Sequence, residues 1–350
     1  MSATPIDAQA IEAFIGRSLQ KVGLSATDAA RVGALMAEAD LIGADAHGVF
    51  RLPQYVNRIR AGGISATAEV TVELTGPATA RVDGHNAMGH LVMDRATDVA
   101  IELAKTTGIG WVGVRGSNHA GPASLYAARP VEHGLVGIYS AVASANHMAM
   151  WGSNESLLGT NPLAIGIPAG EEPAMILDIA TTVVSYGTVK NHALQGKTMP
   201  EGWMVEKSTG EPLTDASRSD EGLLAPIGGY KGSGLALALG LLAGTLNGAA
   251  FGRDVVDFNK DETTVTNTGH FILALDVSRF MPLEVFAGEV DRQIRELRAS
   301  SPLPGVDEVR IPGTERSARF VRRSSEGVPL SAELLQKLNS FAADLGVDPL

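Results

Sequence analysis

The stretch LVMDRATDVAIELAKTTGIGWVGVRGSNHAGPASLY, residues 91–126, decides how the chain is read. Residues 91–107 read as a helix ending at Gly108, and IGWVGV (109–114) reads as a strand. A short helix follows around 122–133. Embedded here is Gly108-Ile109-Gly110-Trp111-Val112-Gly113, a match to G-x-G-x-x-G. A dinucleotide-binding turn needs those glycines between a strand and the next helix, so that the helix N-terminus meets the pyrophosphate. Here a helix comes first and the glycines run into a strand. The motif is a turn followed by a strand, not a Rossmann fingerprint.

Working outward, helices are expected over 6–22, from Ser25 to about Ile42, and over 47–61, ending at Gly62-Gly63. Residues 69–83 look extended. LVGIYSAV (135–142), PLAIGIP (162–168), AMILDIA (174–180) and HFILALD (270–276) read as strands. Residues 184–227 look loop-rich, 231–249 a buried helix, 282–298 a helix, and 331–345 a helix capped by Ser331. Helices around a strand-rich centre make the class α/β or α+β. The segment 232–252 carries no charge and places Gly240, Gly244, Gly248 and Gly252 four apart. Such spacing can pack membrane helices, but the glycines and polar residues leave the stretch only mildly apolar, which favours a buried helix of a water-soluble protein.

Composition narrows the function. The chain has 350 residues, 45% of them hydrophobic, enough for a large core. Lys+Arg 28 against Asp+Glu 39 gives a net charge of −11, which argues against non-specific nucleic-acid binding. The absence of cysteine removes disulfides, thiolate metal sites and cysteine nucleophiles. No secretory signal is visible at the N-terminus, so the expected location is the cytoplasm. The histidines show no metal spacing with acidic partners, and no metal is expected.

Several clusters could carry chemistry. His47, Arg51 and Tyr55 recur every four residues, one face of a helix. An imidazole can donate a proton and a guanidinium can grip a carboxylate, although a solvated helix face would look the same. GSNHAGP (116–122) places His119 between a strand and a helix, either as an anion-binding loop or as a capped turn. Asp178 lies in an apolar strand before Ala180-Thr181-Thr182 and needs a partner, which could be a histidine, a ribose hydroxyl or the threonines. GGYKGSG (228–234) opens the long apolar helix, as a phosphate cradle or a hinge.

Taken together, ADLIGADAHGVFRLPQYVNRIRAGGI (39–64), GSNHAGPASLY (116–126), WGSNESLLGTNPLAIGIP (151–168), LDIATT (177–182), GGYKGSG (228–234), HFILALD (270–276) and RIPGTER (310–316) resemble the type-2 malate/L-lactate dehydrogenase family. The resemblance runs in order from about residue 6 to 345. It implies a non-Rossmann fold with a mixed, largely antiparallel central sheet flanked by helices. It also implies a helical outer domain (1–75 with 285–350) around a sheet and cofactor domain (76–284). Family members reduce 2-oxo acids, or cyclic imino acids, with NADH or NADPH, usually as homodimers. By this resemblance His47 is the proton donor and Arg51 binds the substrate carboxylate, with Tyr55 and His119 beside it. Asp178 helps position the imidazole. The cofactor contacts fall on His119, Gly121, Pro122, Thr160, Asp178, Ile179, Ala180, Thr181, Thr182, Lys231, Gly232, Ile311, Pro312 and Gly313. Two positions depart from the family pattern. Ala46 stands where a serine is usual, and Ala143 where Asn or Lys is frequent. They motivate a competing reading, a catalytically weakened member that binds nucleotide or metabolite, and they make His147 a candidate substitute.

Overall fold

In the computed structural model, residues 3–350 are described. The chain opens with a short strand β1 (Thr4–Ile6) and the helices α1 (Ala8–Lys21), α2 (Ala26–Leu41) and α3 (Leu52–Ala61). A hairpin follows, β2 (Thr71–Gly76) and β3 (Thr79–Asp83), then α4 (Gly89–Thr107), β4 (Ile109–Ser117), the one-turn helix α5 (Ser124–Ala128) and β5 (Leu135–Ala141). Next come β6 (Leu163–Ile167), β7 (Met175–Ile179), α6 (Tyr186–Leu194), β8 (Met204–Glu206), β9 (Gly222–Leu224), α7 (Tyr230–Ala243) and β10 (Thr268–Asp276). The chain closes with α8 (Leu283–Arg298), α9 (Thr314–Glu326), β11 (Val328–Leu330) and α10 (Ala332–Leu345).

Seven strands form one sheet in the order β2-β3-β4-β10-β5-β6-β7. Only β3 and β4 run parallel, and every other pair in it is antiparallel. That is the mixed, largely antiparallel sheet expected. The opening stretch behaves as read. Helix α4 stops at Gly108, whose φ of 90° is left-handed, and the chain passes directly into β4. Gly110 is required there, since a Cβ would collide with the Ala100 carbonyl of α4. Helix α4 lies across the sheet and buries Val92, Met93, Ala96 and Ala100 against Val112, Val114 and Ile272. A second apolar core joins α1, α2, α3 and α10 to the β1–β11 ladder.

Four expectations change. The helix placed over 47–61 begins only at Leu52, because Gly48 has a ψ of −142° and breaks it into two short 3-10 turns. Pro53 then sits in the first turn of α3, where a missing N–H costs nothing. The helix placed over 231–249 ends at Ala243, where the Asn247 side chain takes up the carbonyls of Leu242 and Ala243. Two of its glycines pack against the chain itself: Gly232 abuts the Ile227 backbone and Gly240 the Phe251 ring. Among the described residues no helix is long and apolar enough to cross a membrane. The supposed loop 184–227 contains α6 and the β8–β9 pair around a small core of Val189, Met199, Met204, Leu213 and Leu224. Finally, α9 and the β1–β11 pairing are additions that the sequence reading did not contain.

Candidate active site

The break at Gly48 shapes the first half of the site. The carboxylate of Asp40, in the last turn of α2, accepts the Val49 N–H at 2.8 Å. It fills the space beside Gly48 so closely that any Cβ there would overlap it. Arg323 of α9 bonds the Asp40 carbonyl and the Asp45 carboxylate, which fastens the turn from the other side. Burial pushes the Asp40 carboxyl up to about 7.

This turn delivers His47, Arg51 and Tyr55 to one place despite the broken helix. The His47 ring stacks on His119 with centroids 5.2 Å apart and planes at 12°. Tyr55 Oη meets His119 Nδ1 at 2.6 Å. Phe258 covers the His119 ring at 5.4 Å. Of the two readings of this loop, an anion-binding loop or a capped turn, the structure shows one N–H used internally, since Gly121 N–H points to His119 Nδ1 at 3.4 Å. Helix α5, only five residues long, begins at Ser124 and not at His119.

Desolvation controls the protonation of this cluster. Burial, and secondly the Arg51 charge, push His47 down to about 4. His119 is held well below its ordinary value by burial first, and then by the neighbouring His47, Arg51, His90 and His270. His47 is therefore neutral at pH 7, and its Nδ1 is buried without a hydrogen-bond partner among the described residues. Arg51 donates Nε–H to the Ala46 carbonyl at 3.0 Å and Nη1–H to Gln54 Oε1 at 2.5 Å and Asn259 Oδ1 at 3.1 Å. All three acceptors are uncharged. Among the described residues no carboxylate lies within ion-pair distance of Arg51, whereas Arg31, Arg129 and Arg323 all have one.

A second cluster gathers at the end of β7. Asp178 Oδ2 accepts the Ser124 N–H at 2.9 Å, and Arg316 donates to the Ser124 carbonyl at 3.3 Å. Desolvation pushes the Asp178 carboxyl up, against the pull of Ser124 and Arg316. Asp178 makes no hydrogen bond to His47, so direct orientation of the imidazole by this carboxylate is not realised. Thr181 N–H and Oγ1 both reach the Thr160 carbonyl, at 2.9 and 2.8 Å, and Ile227 N–H reaches the Thr181 carbonyl at 3.0 Å. Ile176 N–H donates to the Pro312 carbonyl, and Gly313 lies too close to β7 for a side chain. The segments 160, 178–182 and 227–232 thus meet, whereas 311–313 packs against Ala174 and Ile176 toward the start of β7. Gly228 and Gly229 are both left-handed (φ 59° and 65°) and lead into α7, with Lys231 in its first turn. Backbone N–H groups, a helix N-terminus and one ammonium suit a pyrophosphate, and the Asp178 carboxyl suits a ribose hydroxyl. The two clusters share the loop 118–123, with His119 near one end and Ser124 just past the other.

Sequence reasoning missed Asp40, Gln54, Phe258, Asn259, Ser124 and Arg316. Gln54 was within reach, three residues after Arg51 on the same helix face. His147, the suggested substitute near Ala143, stacks on Tyr186 at 3.7 Å, and packing pushes its imidazole down to about 4. The Ala143 N–H is taken by Asn161 Oδ1 at 3.0 Å.

The chain is similar to known proteins along nearly its whole length. The family model described as malate/L-lactate dehydrogenase matches residues 6–339. A malate dehydrogenase of Pyrococcus horikoshii is 35% identical over 344 residues, covering 96% of this chain and 94% of that protein. Its solved structure superposes with a TM-score of 0.90 at 32% identity, over 99% of this chain and 97% of the other. An L-sulfolactate dehydrogenase of Methanothermobacter thermautotrophicus is 36% identical over 311 residues, 89% of this chain and 88% of that protein. A Δ1-piperideine-2-carboxylate reductase from Pseudomonas syringae superposes with a TM-score of 0.84 at 26% identity, over 97% of this chain and 100% of the other. With the non-Rossmann sheet and the His47–Arg51 cluster in place, the match along nearly the whole chain settles its kinship: the protein belongs to the malate/L-lactate dehydrogenase family.

Proposed function

We propose that His47, Arg51 and His119 form the reaction centre of an NAD(P)-dependent oxidoreductase that interconverts a small 2-hydroxy acid with its 2-oxo acid, or reduces a cyclic 2-imino acid. The observation that carries the reading is the Arg51 guanidinium, desolvated and held only by neutral oxygens, beside a neutral imidazole. Such a guanidinium is a carboxylate site. NAD(P)H, when bound, supplies the hydride to C2 of the acid. Gly228, Gly229, Lys231 and Gly232 at the start of α7, with Thr160, Asp178, Ile179, Ala180, Thr181, Thr182 and Ile311 to Gly313, hold the cofactor. Gly121 and Pro122 line the wall beside its nicotinamide.

Arg51 fixes the carboxylate and so orients C2. Neutral His47 is ready to accept the proton of a 2-hydroxyl in the oxidative direction. In the reductive direction it must first gain a proton. A substrate carboxylate on Arg51 cancels the second cause of the depressed His47 pKa and adds a negative charge nearby, so acid binding itself favours the imidazolium that then protonates the developing alkoxide or amine. Tyr55 and Phe258 hold His119, which stacks on the His47 ring and keeps it in place.

The protein is placed in the cytoplasm, where reduced nicotinamide is at hand, and works as a homodimer. The uncharged stretch 232–252 exposes Leu241, Leu242 and Leu246 as apolar surface for a second copy. The test is loss of reduced-nicotinamide absorbance with NADH and NADPH against pyruvate, oxaloacetate, 2,3-diketogulonate, Δ1-piperideine-2-carboxylate and Δ1-pyrroline-2-carboxylate. Turnover of one of them is expected, with His47→Ala lowering it by about 10²–10⁴-fold. Full activity of His47→Ala would remove His47 from the proton transfer.

A further inference from the structure

Arginines that are largely withdrawn from water are normally paired with acids, because an uncompensated charge in a desolvated site is costly. In this chain Arg129 pairs with Asp94 and Asp98, and Arg323 with Asp45. Arg58, fully buried, bonds only the backbone carbonyls of Asp261, Gly63 and Thr264, but the charges of Asp261 and Glu262 act on it. Among the described residues Arg51 has no such acid beside it. Three of its five N–H groups are taken, by the Ala46 carbonyl, Gln54 Oε1 and Asn259 Oδ1, and all three acceptors are neutral.

The orientation of both amides is fixed from behind. Gln54 Nε2 donates to the Phe258 carbonyl at 2.9 Å, which leaves Oε1 for the guanidinium. Asp257 Oδ1 accepts the Asn259 backbone N–H at 2.9 Å and its Nδ2 at 3.2 Å, which leaves Oδ1 for the guanidinium. The acid of this strap is thus turned onto an amide, and the amide onto the arginine. Phe258, between them in sequence, is the residue that covers the His119 ring and touches Tyr55. One short segment therefore sets both the arginine and the imidazole stack.

We propose that Gln54 and Asn259 are specificity-determining residues: a clamp of two neutral amides that fixes the Arg51 guanidinium while leaving its charge free for the substrate carboxylate. The clamp holds geometry without neutralisation. A carboxylate at either position would occupy nearly the same volume and accept the same hydrogen bond from Arg51, but it would give up the amide's own donation to the Phe258 carbonyl or the Asp257 carboxylate and would satisfy the charge that the substrate must satisfy. The site then selects an ionised acid at this pole because no carboxylate among the described residues pairs with Arg51. This rests on the carboxylate role of Arg51 given above.

The test exchanges amide for acid at constant shape, in Asn259→Asp and, independently, Gln54→Glu. Each is measured with the acid that turns over and with oxalate as a competitive inhibitor. KM for the acid and Ki for oxalate should each rise tenfold or more, with kcat lowered less than threefold. A merely structural role predicts a lower melting temperature with KM and Ki untouched. Asn259→Ala, which removes an acceptor without adding charge, should raise KM no more than about threefold. If one acidic variant fails to fold, the other decides, since both act on Arg51 Nη1 from different elements. KM within twofold of the parent in the folded acidic variants overturns the clamp, provided Arg51→Lys raises KM. If Arg51→Lys itself leaves KM unchanged, the carboxylate role of Arg51 fails, and the clamp with it.

Discussion

Acidification separates a buried neutral imidazole from an accessible one, and His90 is the clearest case. It lies in α4, buried, edge-on to the Tyr55 ring at 5.3 Å, and neither of its ring nitrogens has a hydrogen-bond partner among the described residues. Burial, then the neighbouring His47, pushes it down to about 3, and Asp94 pulls weakly the other way. In the unfolded chain the same imidazole titrates near about 6.5. Below that value the unfolded state binds the extra proton and the folded state does not, so stability is lost as pH falls and is retained above it. The loss amounts to about 1.4 kcal/mol per pH unit, hence about 2 kcal/mol between pH 7 and pH 5. Other groups titrate over this range, notably Asp40, whose raised pKa works in the opposite direction. A comparison of the parent with His90→Leu cancels them, because both chains share them. The two free energies of unfolding, from urea titrations at pH 7 and pH 5, should move apart by about 2 kcal/mol in favour of the variant at the lower pH. A difference that is the same at both pH values would refute the argument, since His90 would then be titrating alike in the folded and unfolded chains.

Two further predictions concern the turn that carries His47. Gly48→Ala places a methyl group on the Asp40 carboxylate, and since Gly48 has an ordinary φ of −88° the penalty is steric, about 1–3 kcal/mol. Thermal unfolding should show the drop and turnover should fall with it, and an unchanged melting temperature would mean that Asp40 yields freely. Ala46 touches Arg51 through its backbone carbonyl, not its side chain, so Ala46→Ser should leave KM for the acid within about threefold of the parent, one clamp contact being preserved. A rise in turnover of tenfold or more on that substitution would instead support the catalytically weakened reading.

What could be read in advance follows from where each signal is stored. The order helix, glycine, strand around Gly108 is local, so residues 91–126 revealed a sheet entry and excluded the dinucleotide fingerprint without any knowledge of partners. His47, Arg51 and Tyr55 were equally visible because they share one short block, although the block is not the continuous helix that their spacing suggests. Gly48 interrupts it, and the spacing survives because two 3-10 turns and the start of α3 still bring His47 and Tyr55 onto His119, with Arg51 beside them. Helix α9 was overlooked for a physical reason. It buries none of its residues and docks through Arg316 and Arg323, so only a few apolar side chains mark it and a reading led by apolar residues passes over it. The strap 257–259 was harder still. It meets Gln54 204 residues away in sequence through a backbone carbonyl, and it meets Arg51 through a neutral amide. A carbonyl leaves no trace in a sequence, and an asparagine in a polar loop reads as a turn residue. Charge that is deliberately left unpaired is a property of what a side chain lacks, and that absence becomes visible only when every acceptor around Arg51 has been located.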